Sequence, residues 1–540
     1  MNSKKTWQCD GKPKNGKSYP GASGAHATHE NALDTLRCDI CGLPREAVSK
    51  RWPQFLPLVA VPLLLLGGVG LGMSALKGCP GDTTRQGLSC APITSVGTDP
   101  LPLKDLKDDK FSRGDRVFFD DEGSTPRDSA VEAYAAGKYQ EAERFFAAAV
   151  QESPRNPEVQ IYLNNAKARS ATSSPFTVAV VVPITNGEDK AAEMLRGVAD
   201  AQTAFNEKRI ASGQRSLEVV IVNDGNDATT AAEVARKIAA VPEILGVVGH
   251  NSSGASGAAL PAYEQAGLAM ISPTSTSVDI KSEYFFRTVP SDAVAGKRLA
   301  EYALDTLDIR KVVAFYDSSS GYSKSLLGSF KSGFEAGGGE IGEPSDLREM
   351  SVGEGTVESQ AQEIVRAAVQ QDQVTTGVLF PSTESVPTSL VVTRGNSALP
   401  AGERLDQWLA GDALYVPKAL VDGGESVAGM VLAVSWFSDD AFDYAQQATN
   451  RWGGRVSWRT ANSYDAAQAF VTALAGEDVS REGVWRFLSN DVSLQPGDTA
   501  GNPLNFDAAG EREQEPVLVE VKRGGENRPT GSDYSFQLLD

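Results

Sequence analysis

From Phe176 onward the chain alternates short apolar runs rich in Val and Ile with segments of helical length and period, and this rhythm constrains the fold more than any other feature. Residues 177–182, 217–222, 244–248 and 269–272 read as strands, with 191–206, 229–240 and 256–266 as the helices between them. Continuous apolar strands separated by helices imply a parallel sheet covered on both faces. The series resumes with 311–316, 323–336, 358–370 and 376–380, and two such α/β units between residues 176 and 525 predict two lobes, each a doubly wound parallel sheet. Ligands of open parallel sheets bind beyond the carboxyl ends of the strands, so the residues that follow each apolar run are the ones to read for function.

A chain of 540 residues exceeds what one core accommodates. Residues 55–76 (FLPLVAVPLLLLGGVGLGMSAL) carry no charge. At about 1.5 Å per residue such a stretch spans a hydrocarbon core of roughly 30 Å, which predicts a transmembrane helix within residues 52–76. Lys50 and Arg51 abut its N-terminal side and Trp52 suits the interface, so the positive-inside rule places residues 1–51 in the cytoplasm. The expected location is a bacterial inner membrane crossed once, with the large body periplasmic. Two other readings stay open: a buried core helix, and a lipoprotein signal. Leu76-Lys77-Gly78-Cys79 resembles a lipobox, with Lys77 where that pattern has a small uncharged residue. The formal net charge is −19; residues 1–51 hold nine basic against five acidic side chains, so the rest carries −23. A body of that sign is not built to hold nucleic acid through charge.

Cys9, Cys38 and Cys41 precede the apolar stretch, and Cys79 and Cys90 follow it. In an oxidising compartment Cys79 and Cys90 are expected to form a local disulfide. Trp7-x-Cys9, then Asn31 followed six residues later by Cys38-x-x-Cys41, resembles the Ran-binding-protein type of zinc finger. That family's second cysteine is missing here, and its slot is flanked by His26 and His29. The resemblance implies a small zinc-ribbon-like region over residues 1–51, with a structural zinc held by Cys9, Cys38, Cys41 and one of His26 and His29, a donor set that suits the metal. The alternative is a basic tail with a leftover Cys-x-x-Cys. Residues 77–125 mix Gly, Pro, Asp and Lys without periodicity and read as a linker. In residues 126–172, Ala133-Tyr134-x-x-Gly137-x-Tyr139-x-x-Ala142-x-x-x-Phe146-x-x-Ala149 resembles half of a tetratricopeptide repeat. So short an array cannot stand alone as a solenoid.

Two polar clusters follow strands directly. Gly246-Val247-Val248 leads into Gly249-His250-Asn251-Ser252-Ser253-Gly254-Ala255-Ser256-Gly257, and Met270-Ile271-Ser272-Pro273 ends in Thr274-Ser275-Thr276-Ser277. Free N–H groups and hydroxyls at a helix N-terminus favour an anion such as a carboxylate. The whole run from Gly246 to Ser277, with Phe286-Arg287-Thr288, Tyr316-Asp317, Gly321-Tyr322, Asn462-Ser463-Tyr464-Asp465-Ala466 and Asn505-Phe506-Asp507-Ala508-Ala509-Gly510, resembles the leucine/isoleucine/valine-binding-protein family. The resemblance implies a type I periplasmic-binding-protein fold over 176–525. Lobe 1 would hold about 176–290 and 437–507, and lobe 2 about 291–436 and 511–525, with 526–540 as a tail. It also implies site residues: Ser253 for a ligand's α-carboxylate, Thr274 offering its main-chain carbonyl to the α-ammonium, and Thr276 touching both groups. Tyr322 is implied as an aromatic residue of the facing lobe, and Asp412 as the acid for the ammonium. Pro183-Ile184-Thr185-Asn186-Gly187 and Pro381-Ser382-Thr383-Glu384-Ser385 lack the aromatic residues of branched-chain binders, so the ligand's side chain stays open.

No nucleophile elbow, P-loop or strand-linked GxGxxG occurs in the body, and His250 is its only histidine. The expectation is therefore not an enzyme but a receptor without a cofactor in its binding domain. It would close on a small molecule, an amino acid, for an ABC permease or for sensing. The alternative reading is a signalling or assembly protein with a degenerate cleft, working through its helical segment and zinc finger.

Overall fold

The computed structural model describes residues 101–539 apart from 107, 120–123, 351–355, 439–440 and 526–527, together with the backbone of four short strands nearer the N-terminus. Those strands form two antiparallel pairs, β1 (Thr6–Cys9) with β2 (His29–Ala32) and β3 (Thr83–Gln86) with β4 (Ser89–Pro92). Residues 55–76 lie outside the described residues. No helix among the described residues is long and apolar enough to cross a membrane.

The main body begins with β5 (Phe111–Ser112) and three helices, α1 (Thr125–Ala135), α2 (Tyr139–Glu152) and α3 (Pro157–Ala171). Ser124 and Asn156 cap α1 and α3 from the N-cap position, each followed by a proline where a helix lacks an N–H partner anyway. Then come β6 (Phe176–Val182), α4 (Ile184–Ala211), β7 (Leu217–Asn223), α5 (Ala228–Ala239), β8 (Ile244–Val248), α6 (Ser253–Gln265), β9 (Met270–Ser272) and β10 (Phe285–Arg287). These strands make one sheet in the order β10-β9-β8-β6-β7-β5, parallel except for β5. Every residue of β6 is buried. Val178, Val180 and Val182 enter the core on one face while Ala179 and Val181 enter the core on the other, as a strand covered on both sides requires.

The chain then crosses to a second lobe containing α7 (Asp292–Glu301), β11 (Lys311–Tyr316), α8 (Gly321–Ala336), β12 (Glu340–Ile341), β13 (Ser345–Asp346), α9 (Val357–Asp372), β14 (Thr376–Phe380), α10 (Val386–Ser397), β15 (Gln407–Ala410), α11 (Pro417–Gly423) and β16 (Val431–Val434). It returns to lobe 1 for α12 (Asp443–Trp452), α13 (Trp458–Leu474) and α14 (Arg481–Asn490), and crosses a last time to add β17 (Val517–Arg523) and β18 (Tyr534–Leu538). The second sheet runs β12-β11-β14-β15-β16-β17-β18, with β13 also on β11; β17 and β18 are antiparallel. Its faces carry separate cores, Val313 and Phe315 on one, Val312 and Ala314 on the other.

Three boundaries differ from the expectation. The end of the supposed linker supplies β5, which pairs with β7 and closes that edge of the sheet. Residues 534–538, expected as tail, are an antiparallel strand of lobe 2. The third crossing follows Arg512, because Gly510 still accepts from Arg287 N in lobe 1 and the Arg512 guanidinium is buried on Asp465. The three helices of 125–171 do not stand apart: Phe146 and Tyr162 join the core that also holds Val178 and Phe470. At the junction Glu218 of β7, fully buried, accepts from Tyr134 Oη at 2.5 Å and from Arg169 Nε at 2.9 Å.

Candidate functional site

A cleft of about 240 Å³ opens between the two sheets at the carboxyl ends of their strands. On the lobe 1 side, β8 ends at Val248 and the backbone turns through Gly249 at φ +130°, where a Cβ would come within 2.5 Å of the Val181 carbonyl oxygen. Only glycine allows that approach. The turn delivers Ser252 as N-cap of α6, its hydroxyl accepting from Ala255 N at 3.3 Å, and Ser253 as the first helical residue. The Ser253 hydroxyl accepts from Ser277 N at 3.3 Å, which ties the two polar clusters together. Thr274 Oγ1 donates to the carbonyl of Asn251 at 2.7 Å and staples the same loops.

On the lobe 2 side, β15 leads through Gly411 to Asp412, and α8 supplies Tyr322. The Tyr322 hydroxyl donates to Asp412 Oδ1 at 2.7 Å. A side chain at 411 would strike that hydroxyl, since its Cβ would lie 2.4 Å away. Burial pushes the Asp412 carboxyl above its usual range, opposed by the Tyr322 bond and by Arg459. The Tyr322 hydroxyl is held well above its ordinary value by burial and by the charges of Asp412 and Asp292.

Of the five residues assigned from sequence, Ser253, Thr274, Tyr322 and Asp412 line this cleft. Thr276 lines a smaller inner void of about 10 Å³, shared with Asp412 and Asp292. Thr276 Oγ1 and Asp292 Oδ2 are buried there without a hydrogen-bond partner. Burial pushes the Asp292 carboxyl up to about 7, with nearby Ser325 and Thr276 pulling it down and Asp412 adding repulsion.

Several lining residues were missed by the sequence reading. Asn226 sits in the loop after β7, where the strand-end rule points but no motif does; its amide donates to Glu384 Oε1 at 3.0 Å across the cleft. Trp458 and Arg459 begin α13, a helix start that no strand precedes. The Arg459 guanidinium lies 4.5 Å over the Trp458 ring and reaches Glu193 at 3.2 Å. His250 is turned away from the cleft, with Nδ1 2.8 Å from Asp224 and Nε2 3.0 Å from the Tyr263 hydroxyl, all three buried.

Among the residues assigned to zinc, Cys9 and His29 stand directly opposite each other in the register of β1 and β2. His26, Cys38 and Cys41 lie outside the described residues, as does Cys79 of the expected disulfide; Cys90 is in β4. Among the described residues no group of three or more His, Cys, Asp or Glu side chains is arranged to hold a metal ion.

The leucine-specific-binding protein of Salmonella typhimurium is 28% identical over 180 residues, 33% of this chain and 48% of that protein, so the chain spans about half the length of this curated relative. An ABC transporter substrate-binding protein from Desulfitobacterium hafniense in complex with Leu superposes with a TM-score of 0.55 at 21% identity, covering 68% of this chain and all of that one. A solute-binding protein of an ABC transporter from Rhodopseudomonas palustris, in complex with 3,4-dihydroxybenzoic acid, gives 0.53 at 17% identity over 68% of this chain and 98% of its own. This fold therefore accommodates chemically different ligands. A family model described as periplasmic binding protein matches residues 175–526, more than half of the chain, and the chain belongs to the periplasmic binding protein family.

Proposed function

We propose that this chain is a membrane-tethered, extracytoplasmic solute-binding receptor that closes its lobes over a small zwitterion, an amino acid, and passes it on unchanged to an ABC-type permease or a sensing partner. The observation that carries the reading is the pairing across one cleft of the α6 N-terminus and Ser253 on lobe 1 with Asp412 and Tyr322 on lobe 2. The helix N-terminus offers N–H groups and a positive dipole end to a carboxylate. The buried Asp412 carboxylate offers the complementary partner for an ammonium group. The leucine ligand of the Desulfitobacterium protein and the name of the Salmonella protein support an amino acid. The tether at residues 55–76, the single crossing with residues 1–51 cytoplasmic, the permease partner and the N-terminal zinc are parts of the same proposal and rest on the sequence alone.

The test is binding by the full-length chain. In a calorimetric and thermal-unfolding screen of amino acids, a true ligand at 100 times its dissociation constant adds about 2.7 kcal/mol of stability. For the best hit, Ser253→Ala and Thr276→Ala are each expected to weaken binding by about 1.5–3 kcal/mol, the worth of a hydrogen bond to a charged group. The ligand-free melting temperature should stay near that of the parent for Thr276→Ala, and fall for Ser253→Ala only as far as the loss of its bond from Ser277 N, worth about 1 kcal/mol, requires. Unchanged affinity in both variants removes the site assignment, and silence across the screen removes the receptor reading.

A further inference from the structure

Beyond the groups that meet an amino acid's backbone, the cleft has a distinctive lining. Among the described residues it contains no Val, Leu, Ile, Met or Phe. Its apolar contribution is limited to Ala228, Ala255, Ala413 and the rings of Tyr322 and Trp458. Beyond the residues assigned from sequence, its polar lining includes Asn226, Ser319, Ser320, Ser382, Thr383 and Glu384. Two of these already form a hydrogen-bonded chain across the opening: Asn251 Nδ2 donates to Asn226 Oδ1 at 3.3 Å, and Asn226 Nδ2 donates to Glu384 Oε1 at 3.0 Å. The Thr383 hydroxyl also donates to Glu384 Oε1, at 3.1 Å.

We infer that the ligand carries a polar side chain with hydrogen-bond donors, a hydroxyl, amide or amine, and that aliphatic amino acids are poor ligands. This rests on the receptor reading and specifies its substrate class. An aliphatic side chain seated here strips water from hydroxyls, an amide and a carboxylate and returns no bond, so the usual gain from apolar burial is offset by unmet polar groups. A donor-bearing side chain replaces that water group for group. Charge points the same way: Glu384 contributes an acceptor to the lining, while Arg459, the guanidinium found there among the described residues, is engaged by Glu193. A second carboxylate on the ligand would meet Glu384 as a like charge.

Isothermal titration of the full-length chain with serine, asparagine, glutamine, lysine, glutamate, valine and leucine tests the inference. The tightest binder is expected to be one of the first four, at least tenfold tighter than leucine, which corresponds to about 1.4 kcal/mol. Leucine, valine or glutamate as the tightest binder overturns the inference and leaves the receptor reading standing. Silence across the panel overturns both. Removing two polar groups of the lining with Thr383→Val and Glu384→Leu, both solvent-accessible positions, is then expected to lower the affinity ratio of the best polar ligand to leucine at least tenfold. The ratio is the readout because loss of the Asn226–Glu384 bond weakens closure for every ligand alike. An unchanged ratio overturns the assignment of these residues to the ligand's side chain.

Discussion

Asp292 opens α7 directly after the first crossing, and its backbone N–H donates to the Thr276 carbonyl at 2.8 Å. Its side chain is 1% exposed, with Arg287 and Asp412 as charged neighbours. The unfolded chain releases this proton near 3.8, whereas the folded chain holds it to about 7. The folded state therefore binds more protons between those values, and the contribution to stability is full below the lower one and lost as pH rises through the upper one. Asp292→Asn is expected to flatten the stability profile between about pH 4 and 7 relative to the parent, read by urea denaturation at closely spaced pH values. A parallel profile would show that Asp292 is not held protonated. A residue of this kind is illegible in sequence, where an acid at a helix start looks like an ordinary cap. The position of Ser253, Thr274 and Asp412 at the cleft was readable because each follows a strand end or a family landmark; that of Arg459, placed only by helix packing, was not.

Among the elements, the helical stretch α1 to α3 shows how a pattern reveals an element but not its dock. The spacing of Tyr139, Ala142, Phe146 and Ala149 marks an amphipathic helix, and Ala142, Phe146 and Ala149 are the buried residues of α2. What the helices pack against depends on Glu218, a lone acid inside the apolar strand Leu217–Asn223. Arg169 reaches it with two nitrogens, at 2.9 and 2.5 Å. Burial works against the Arg169 charge, but the bonds and charge of Glu218 outweigh it and hold its pKa above the ordinary value. Glu218→Ala strands the half-buried Arg169 guanidinium and the buried Tyr134 hydroxyl and is expected to cost about 3 kcal/mol. Adding Arg169→Met should recover much of that loss, because a buried ion pair replaced by apolar groups is often neutral. Chemical denaturation of both variants checks this, and a single variant with no loss would mean that the helices are not anchored there. β5, two residues long, and β18, after a glycine-rich turn, have too little periodicity to be recognised without their partner strands.

At the scale of the molecule, the two-lobed division and the position of the cleft were legible because both follow from strand–helix alternation and the strand-end rule. The crossings were legible only approximately, since their ends are set by contacts such as Arg512 with Asp465 at 2.6 Å. Among the hydrogen bonds that bridge the lobes are Asn226 to Glu384, across the cleft, and Val278 N to the Ser325 hydroxyl at 3.0 Å. On the receptor reading, a bond made only when the lobes meet would slow ligand escape and leave encounter unaffected. Asn226→Ala is expected to raise the dissociation rate about fivefold, from a net loss of about 1 kcal/mol, with the association rate unchanged in stopped-flow measurements. A change confined to association would place Asn226 in the encounter step instead.

The strand β5 and the helices α1 to α3, the first elements of the main body, all belong to lobe 1, so the described body begins in that lobe. On the receptor reading proposed above, lobe 2 would then be the arm that swings relative to the lobe through which the body begins, and a partner reading occupancy would have to sense the angle of that arm.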